Sequence, residues 1–381
     1  MKKFEGPLVP LSDCYKAISS RLKTPNFEVL TYEQLPFSEI NGYLGEHCTL
    51  KATIKRTPVP ETLSFFIKSP PRVPSQLNFL HEINGIFKET NFFKKYLPLL
   101  KTHGITLLDD ALPVCYHVTD GTFFFQDLSP LGFRTLPSRA PLSLNHVKAA
   151  LATFAKLHAS ALILEEVKSF RLPETFGVEL KESFYVGADS TERAMKSCKQ
   201  GIKALIDITH QDDFGISKDA FKEKALEGCD LQAVFATPSQ RFRNTICHGD
   251  VWTKNFLFRG VEECCIVDFQ TYRYGPPAQD VVAFLYLVTD RGFREKRLGE
   301  VLEFYYGELR GHFREYDVGE VVTRQEFFES CDYFKRFALT QTLTHLQVVI
   351  LRNDIAEELF EESTNSLGMC ARGTKFLCKG T

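Results

Sequence analysis

Apolar and polar positions repeat with a period near two in the first part of the chain and with a helical period over most of the remainder. "FEVLTYEQL", "HCTLKATIK" and "LSFFIKS" are rich in β-branched and aromatic residues and partly alternate, which predicts three strands up to Ser69. "INGYLG" reads as the turn between the first two, and "SPPRVPS" breaks the sheet after the third. "LNFLHEINGIFKETNFFKKYLPLL" sets Leu80, Ile83, Ile86 and Phe87 at helical spacing and predicts one helix ending at Pro98. "VCYHVTDGTFFFQDL" predicts a hairpin turning at Asp120-Gly121, and its second strand runs into "SPLGFR", a hinge.

Beyond the hinge the period changes. "SLNHVKAALATFAKLHASALIL" repeats Val147, Leu151, Phe154, Leu157 and Ala161 along one helical face, with Ser143 as its N-cap. Helices and loops follow, then a second hairpin of "NFLF" and "CCIVDF" turning at "RGVEE", and from Asp280 the pattern is helical again. The predicted fold is α+β and bilobal: a small β-rich lobe, residues 1–127, joined to a larger helical lobe, residues 128–381, that carries one inserted hairpin.

Composition narrows the function. Forty-six basic residues against 48 acidic ones give a formal charge of -2, so the chain has no general attraction for nucleic acid or an anionic membrane. An anionic ligand must be held by local groups. The N-terminus has two lysines but no continuous apolar stretch behind them, so it does not read as a secretory signal. The longest unbroken apolar run, Val281 to Val288, is too short to span a bilayer, and no membrane insertion is expected. Eleven cysteines without a C-x-x-C pair fit reduced thiols and a cytosolic location. The terminal "CKGT" lacks the aliphatic positions that prenylation requires.

The chemistry concentrates in "ICHGDVWTKNFLF". His248, Asp250 and Asn255 lie on a short polar loop between strands, and Asp268 ends the next strand. A magnesium ion takes hard oxygen ligands, often only one or two from the protein, with phosphates and waters completing the shell. Asn255 and Asp268 suit that role, and Asp250 suits the base that orients an attacking hydroxyl. His248 suits a brace for the loop. In the first lobe Lys68, inside "FFIKSPP", can supply a cation for phosphates, and either Glu82 or Glu89 on the following helix can hold it in place.

Several motifs occur in order over most of the chain: "GYLGEH", "FKETNFFKKYLP", "FFFQDLSPLGF", "FAKLHA", "ICHGDVWTKNFLF", "CCIVDFQ" and "PPAQDVVAFL". Together they resemble the ecdysteroid-kinase-like family of small-molecule kinases, related to choline and aminoglycoside kinases. The resemblance implies a protein-kinase-like fold with ATP and Mg²⁺ between the lobes. It implies Asp250 as base, Asn255 and Asp268 as metal ligands, and Lys68 on the phosphates, and it favours Glu89 over Glu82. Backbone of Phe125 to Leu128, spanning Gln126 and Asp127, would meet adenine. Asp280 has two readings, a brace for the catalytic loop or a helix cap, and His158 is expected to pack beneath that loop. Gln126 stands where an acidic residue is frequent in the family. "INGYLGEH" lacks the G-x-G-x-x-G pattern of protein kinases, which ranks its turn below Lys68 as a phosphate contact.

The resemblance also implies a small hydroxyl-bearing acceptor, an ecdysteroid or another sterol-like molecule. Such a ligand needs an apolar wall, and "SFYVG", "FYYGEL" and "QEFFESCDYFKRF" offer aromatic material for one. A choline-type or aminoglycoside-type kinase and a binding protein without catalysis are the alternatives. A protein kinase is disfavoured, because "DFQTYRYGPPAQD" leaves little room for a peptide-docking segment.

Overall fold

The structure is a computed structural model that describes residues 9–36, 45–138, 140–185, 196, 199–207 and 215–350. The turn residues 40–44, the end of "SFYVG" and the terminal "CKGT" lie outside the described residues.

Alternation in the early runs corresponds to a sheet with one strongly apolar face. Strand β1 (Glu28–Pro36) pairs antiparallel with β2 (Glu46–Lys55), and β2 with β3 (Glu61–Ser69). Leu50, Ala52 and Ile54 of β2 and Leu63, Phe65 and Ile67 of β3 are all buried. The hairpin of β4 (Cys115–Thr119) and β5 (Thr122–Gln126) completes a five-stranded sheet in the order β1-β2-β3-β5-β4. Asp120 and Gly121 both have positive φ, 45° and 75°, as a two-residue hairpin turn requires. Helix α1 (Leu11–Leu22), which the sequence reading passed over, packs against this lobe through Cys14, Ala17 and Ile18. Their i, i+3, i+4 spacing is the signal that was available.

The single helix expected to end at Pro98 is broken. Helix α2 (Pro74–Glu82) stops, Asn84 takes a left-handed φ of 56°, and α3 (Gly85–Asn91) starts on a new axis. A π-helical turn, Phe92–Tyr96, then leads into α4 (Leu97–Thr102), so Pro98 lies in a helical first turn and does not end the run.

In the second lobe Ser143 accepts the backbone N–H of His146, capping α5 (Leu144–Lys168). Val147, Leu151, Phe154, Leu157 and Ala161 are buried as expected. By length and composition α5 could cross a membrane, but 83% of its most apolar window is buried inside the protein, as in a core helix. Short strands β6 (Arg134–Thr135), β8 (Phe256–Arg259) and β9 (Glu263–Ile266) form one small sheet, and β7 (Thr245–Cys247) pairs with β10 (Arg273–Gly275). Helices α6 (Ala278–Val288), α7 (Arg291–Glu315) and α8 (Arg324–Ile350) complete the lobe. The α+β bilobal architecture is thus present. One core cluster runs from Phe92, Phe93 and Phe125 beneath the sheet into α5, α6 and α7, so the two parts share an apolar foundation under the cleft.

Candidate active site

Lys68 lies on β3 opposite His47 on β2 and Phe123 on β5, in the middle of the sheet. Its side chain is buried, and Nζ donates to Glu89 Oε2 at 2.6 Å and to Asp268 Oδ1 at 3.0 Å. Burial alone would strip the lysine of its proton, but the charges of Asp268 and Glu89 outweigh it and raise its pKa. Glu82 is exposed at the end of α2. The break at Asn84 separates the two glutamates, so their seven-residue spacing does not put them on one face. Glu89 Oε1 also accepts the backbone N–H of Phe269 at 3.3 Å, and the Phe269 ring stacks on Phe92 at 3.9 Å. Helix α3 is therefore fixed to the residue after Asp268 by a hydrogen bond and by packing.

The β8–β9 hairpin brings the remaining polar groups together. Phe256 pairs with Ile266, and Val267 N–H donates to Asn255 O at 3.0 Å, so Asn255 and Asp268 emerge side by side. Asn255 directs its amide nitrogen to Asp250 O and to Asp250 Oδ2, both at 2.9 Å. That leaves the carbonyl oxygen as the amide's ligand atom. Asp268 adopts a φ of 73°, uncommon outside glycine, with its carboxylate one-third exposed at 32%. An amide oxygen and a half-open carboxylate are hard donors and fit a magnesium ion better than a soft metal.

Burial would raise the pKa of Asp250, but His345, His248 and Asn255 outweigh this and lower it, so the group is an anion near neutral pH. His248 is fully buried, receives the Asp250 N–H on Nδ1 at 3.2 Å and contacts Val267 O through Nε2 at 3.0 Å. A carbonyl only accepts, so Nε2 carries a proton and His248 braces the loop against Asp268's strand. Gly249 has a φ of 83°, and a Cβ there would lie 2.5 Å from Thr271 O, so only glycine fits.

Asp280, in the first turn of α6, resolves its two readings by geometry. Its oxygens accept His248 N–H at 2.5 Å and Gly249 N–H at 3.1 Å, while Pro277 holds the cap position. His158 Nε2 lies 3.2 Å from the same carboxylate and its Nδ1 lies 2.7 Å from the Tyr305 hydroxyl. His158, Cys247 and Asp280 bring possible ligand atoms within 4.8 Å of one another. The Cys247 thiol, its pKa raised well above the ordinary value by burial, donates instead to Gly275 O and Pro276 O, so this cluster is a hydrogen-bonded support.

The hinge residues are placed differently from the aspartates. Gln126 N–H bonds Val114 O at 2.7 Å, so that donor, expected from the resemblance to be open to a nucleotide, is already engaged. Asp127 accepts the Ser64 hydroxyl and the Ser129 N–H, and Leu128 is buried against Phe133 and Cys265. Their side chains shape the hinge. The phosphate-side turn is described only from Gly45, where an added Cβ would lie 3.7 Å from Lys68 Cε.

Three groups escaped the sequence reading. Lys88, buried beside Glu89, donates to Lys181 O at 2.7 Å and Tyr272 O at 3.1 Å, and burial lowers its pKa to about 8. Arg273 pairs with Glu182 at 2.8 Å and donates to Gly249 O at 3.0 Å. His345 of α8 reaches Asp250 from far along the chain. None of them sits in a recognisable local pattern, and only a neighbour in space reveals each.

Fold and cleft together give the protein a kinase-like architecture. The chain belongs to the ecdysteroid kinase-like family, whose model matches residues 39–318. No curated protein matches it. Similar solved structures include an ethanolamine kinase of Plasmodium vivax, 12% identical with a TM-score of 0.46 over 96% of this chain and 90% of that one. A spectinomycin phosphotransferase in complex with ADP and spectinomycin is 12% identical with a TM-score of 0.44 over 91% and 94%. A choline kinase of Streptococcus pneumoniae is 14% identical with a TM-score of 0.36 over 94% and 98%.

Proposed function

We propose that the protein transfers the γ-phosphoryl group of ATP to a hydroxyl of a small uncharged acceptor, an ecdysteroid or another sterol-like polyol. The observation that carries this reading is the junction of Lys68 with both Glu89 and Asp268, beside an Asn255 that is hydrogen-bonded to Asp250. Lys68 would meet the phosphates, and Asn255 and Asp268 would hold the magnesium ion. Magnesium ATP, when bound, supplies the phosphoryl group and the charge that neutralises it during transfer. Asp250 orients the acceptor hydroxyl and takes its proton.

An uncharged acceptor is supported by the surroundings of Asp250. Tyr185, Gln341 and His345 are grouped on this side, and Glu182 is neutralised by Arg273. A cationic acceptor such as choline or an aminoglycoside would call for further free carboxylates or an aromatic cage. The aromatic segments offered as an apolar wall contribute less than the sequence suggested. Tyr305, Tyr306, Phe327, Phe334 and Phe337 are core residues; Phe184, Tyr185, Phe304 and Phe328 are half-buried and Tyr333 is exposed, and of these Tyr185 is the one grouped with Asp250.

ATP consumption measured across ecdysteroids, sterols, choline and aminoglycosides tests the reading. Turnover with a steroid polyol and none with the cations is expected. Preference for choline or an aminoglycoside would reverse the acceptor assignment, and nucleotide binding without any turnover would favour the non-catalytic alternative. Lys68→Met is expected to lower kcat/KM for ATP by about 10²- to 10³-fold, the scale of losing one aligned charged donor. Burial raises the pKa of Glu89, so its carboxyl can take up a proton once the lysine is gone, which limits the damage to the fold. Circular dichroism and steady-state kinetics on the same preparation separate the two effects.

A further inference from the structure

The cleft face of the five-stranded sheet carries a second nitrogen side chain at the level of Lys68. His47 of β2 is the direct partner of Lys68 in the β2–β3 register, and opposed residues of an antiparallel pair point to the same face. Lys68 reaches Glu89 and Asp268 in the cleft, so His47 is on the cleft side as well. Its ring lies 5.3 Å from that of Phe66, two residues before Lys68 and on the same face. A Cβ added to Gly45 would lie 3.4 Å from His47 Nε2 and 3.7 Å from Lys68 Cε, so imidazole and lysine stem border one space at the end of the phosphate-side turn.

The imidazole is half-buried, and among the described residues neither ring nitrogen has a hydrogen-bond partner. Burial and the Lys68 charge lower its pKa to about 4, against the opposing charge of Asp268, so near neutral pH one ring nitrogen carries a proton and the other does not. A polar group half withdrawn from water and left without a protein partner fits one that a ligand completes. The neighbouring charges call for such a donor. One ammonium, Lys68, already answers to two carboxylates, Glu89 and Asp268, so a phosphate entering this space needs N–H groups beyond the lysine.

Distance along the sheet says which part of a nucleotide lies here. Gln126 of the hinge pairs with Phe65, three residues before Lys68, and at about 3.3 Å per residue that is about 10 Å along β3 from the level of His47. A nucleotide whose base lies at the hinge has its phosphates, not its ring, at that level. We propose that His47 is a further nucleotide-binding residue, whose imidazole N–H donates to a phosphate oxygen of ATP beside Lys68. This assignment rests on the nucleotide half of the phosphotransfer reading, and it is measured by binding, without turnover.

Titration calorimetry on the full chain with MgATP, MgADP and adenosine reads the phosphate contact separately from the base. His47→Ala and His47→Phe are each expected to weaken MgATP and MgADP by about tenfold or more, the scale of one N–H donor lost from a charged acceptor, and to leave adenosine unchanged. His47→Phe keeps an aromatic ring against Phe66, and His47→Asn, which brings back an N–H, is expected to recover part of the loss. Unchanged adenosine affinity also shows that the variants are folded. Binding of MgATP without turnover in the wild type defeats the phosphotransfer reading, while the same dissociation constants still decide the role of His47. Adenosine weakened as much as MgATP, His47→Phe binding MgATP like the wild type, or no binding of MgATP by the wild type overturns the proposal.

Discussion

Asp250→Asn is expected to slow phosphotransfer by about 10⁴-fold, the upper end of what a positioned base contributes. The replacement keeps the shape of the side chain and an oxygen for the Asn255 amide, so the loop that His248 and Asp280 hold in place retains its supports. What disappears is the anion at Oδ1 that is proposed to align the acceptor hydroxyl and remove its proton. Asp268→Asn should be as damaging by a different route, because a neutral amide replaces the carboxylate proposed to hold the metal and the partner of Lys68. The two variants separate in their magnesium dependence. Raising magnesium restores part of the rate of Asp268→Asn and none of the rate of Asp250→Asn. Turnover of Asp250→Asn within tenfold of wild type, in a protein whose circular dichroism is unchanged, would remove Asp250 from the role of base.

How much of this was legible in the sequence depended on how local each feature is. His248, Asp250 and Asn255 are fixed by one loop, and Asp268 is placed by the hairpin that follows, so spacing alone predicted that they meet. Lys68 could be read because a lysine behind three apolar residues on a central strand has few places to go. The choice between Glu82 and Glu89 was not legible from periodicity. A helical pattern passes through Asn84 without interruption, and the left-handed turn there is a backbone event that short polar side chains tolerate. Tyr305 and Phe327 show a second limit, since an aromatic stripe has the same spacing whether it faces core or ligand. Arg273, Lys88 and His345 were invisible for a third reason: each works through partners more than 20 residues away in sequence.

Asp280→Ala is expected to destabilise the protein by about 3–5 kcal/mol, the cost of removing one member of a buried charged network. The carboxylate is buried and accepts from two consecutive backbone N–H groups of the loop that carries Asp250 and from His158. Alanine leaves those three donors without an acceptor in an apolar surrounding that includes Phe154, whose ring stacks on His158 at 5.7 Å. The loss also reaches the site, because Gly249 and His248 set the direction of Asp250. Urea unfolding should show a lower midpoint, and residual turnover should fall even at temperatures where the variant is folded. The pH dependence has a definite sign. Burial would raise the Asp280 pKa, but His158 and the His248 N–H outweigh it, so the folded value lies below the ordinary value near 3.9. A depressed carboxyl stabilises fully above its unfolded pKa and stops doing so as pH falls through the folded one. The stability gap between wild type and Asp280→Ala should therefore be widest near neutral pH and shrink in acid below about pH 4. A gap that stays constant into strong acid would show that Asp280 acts by filling space and not by its charge.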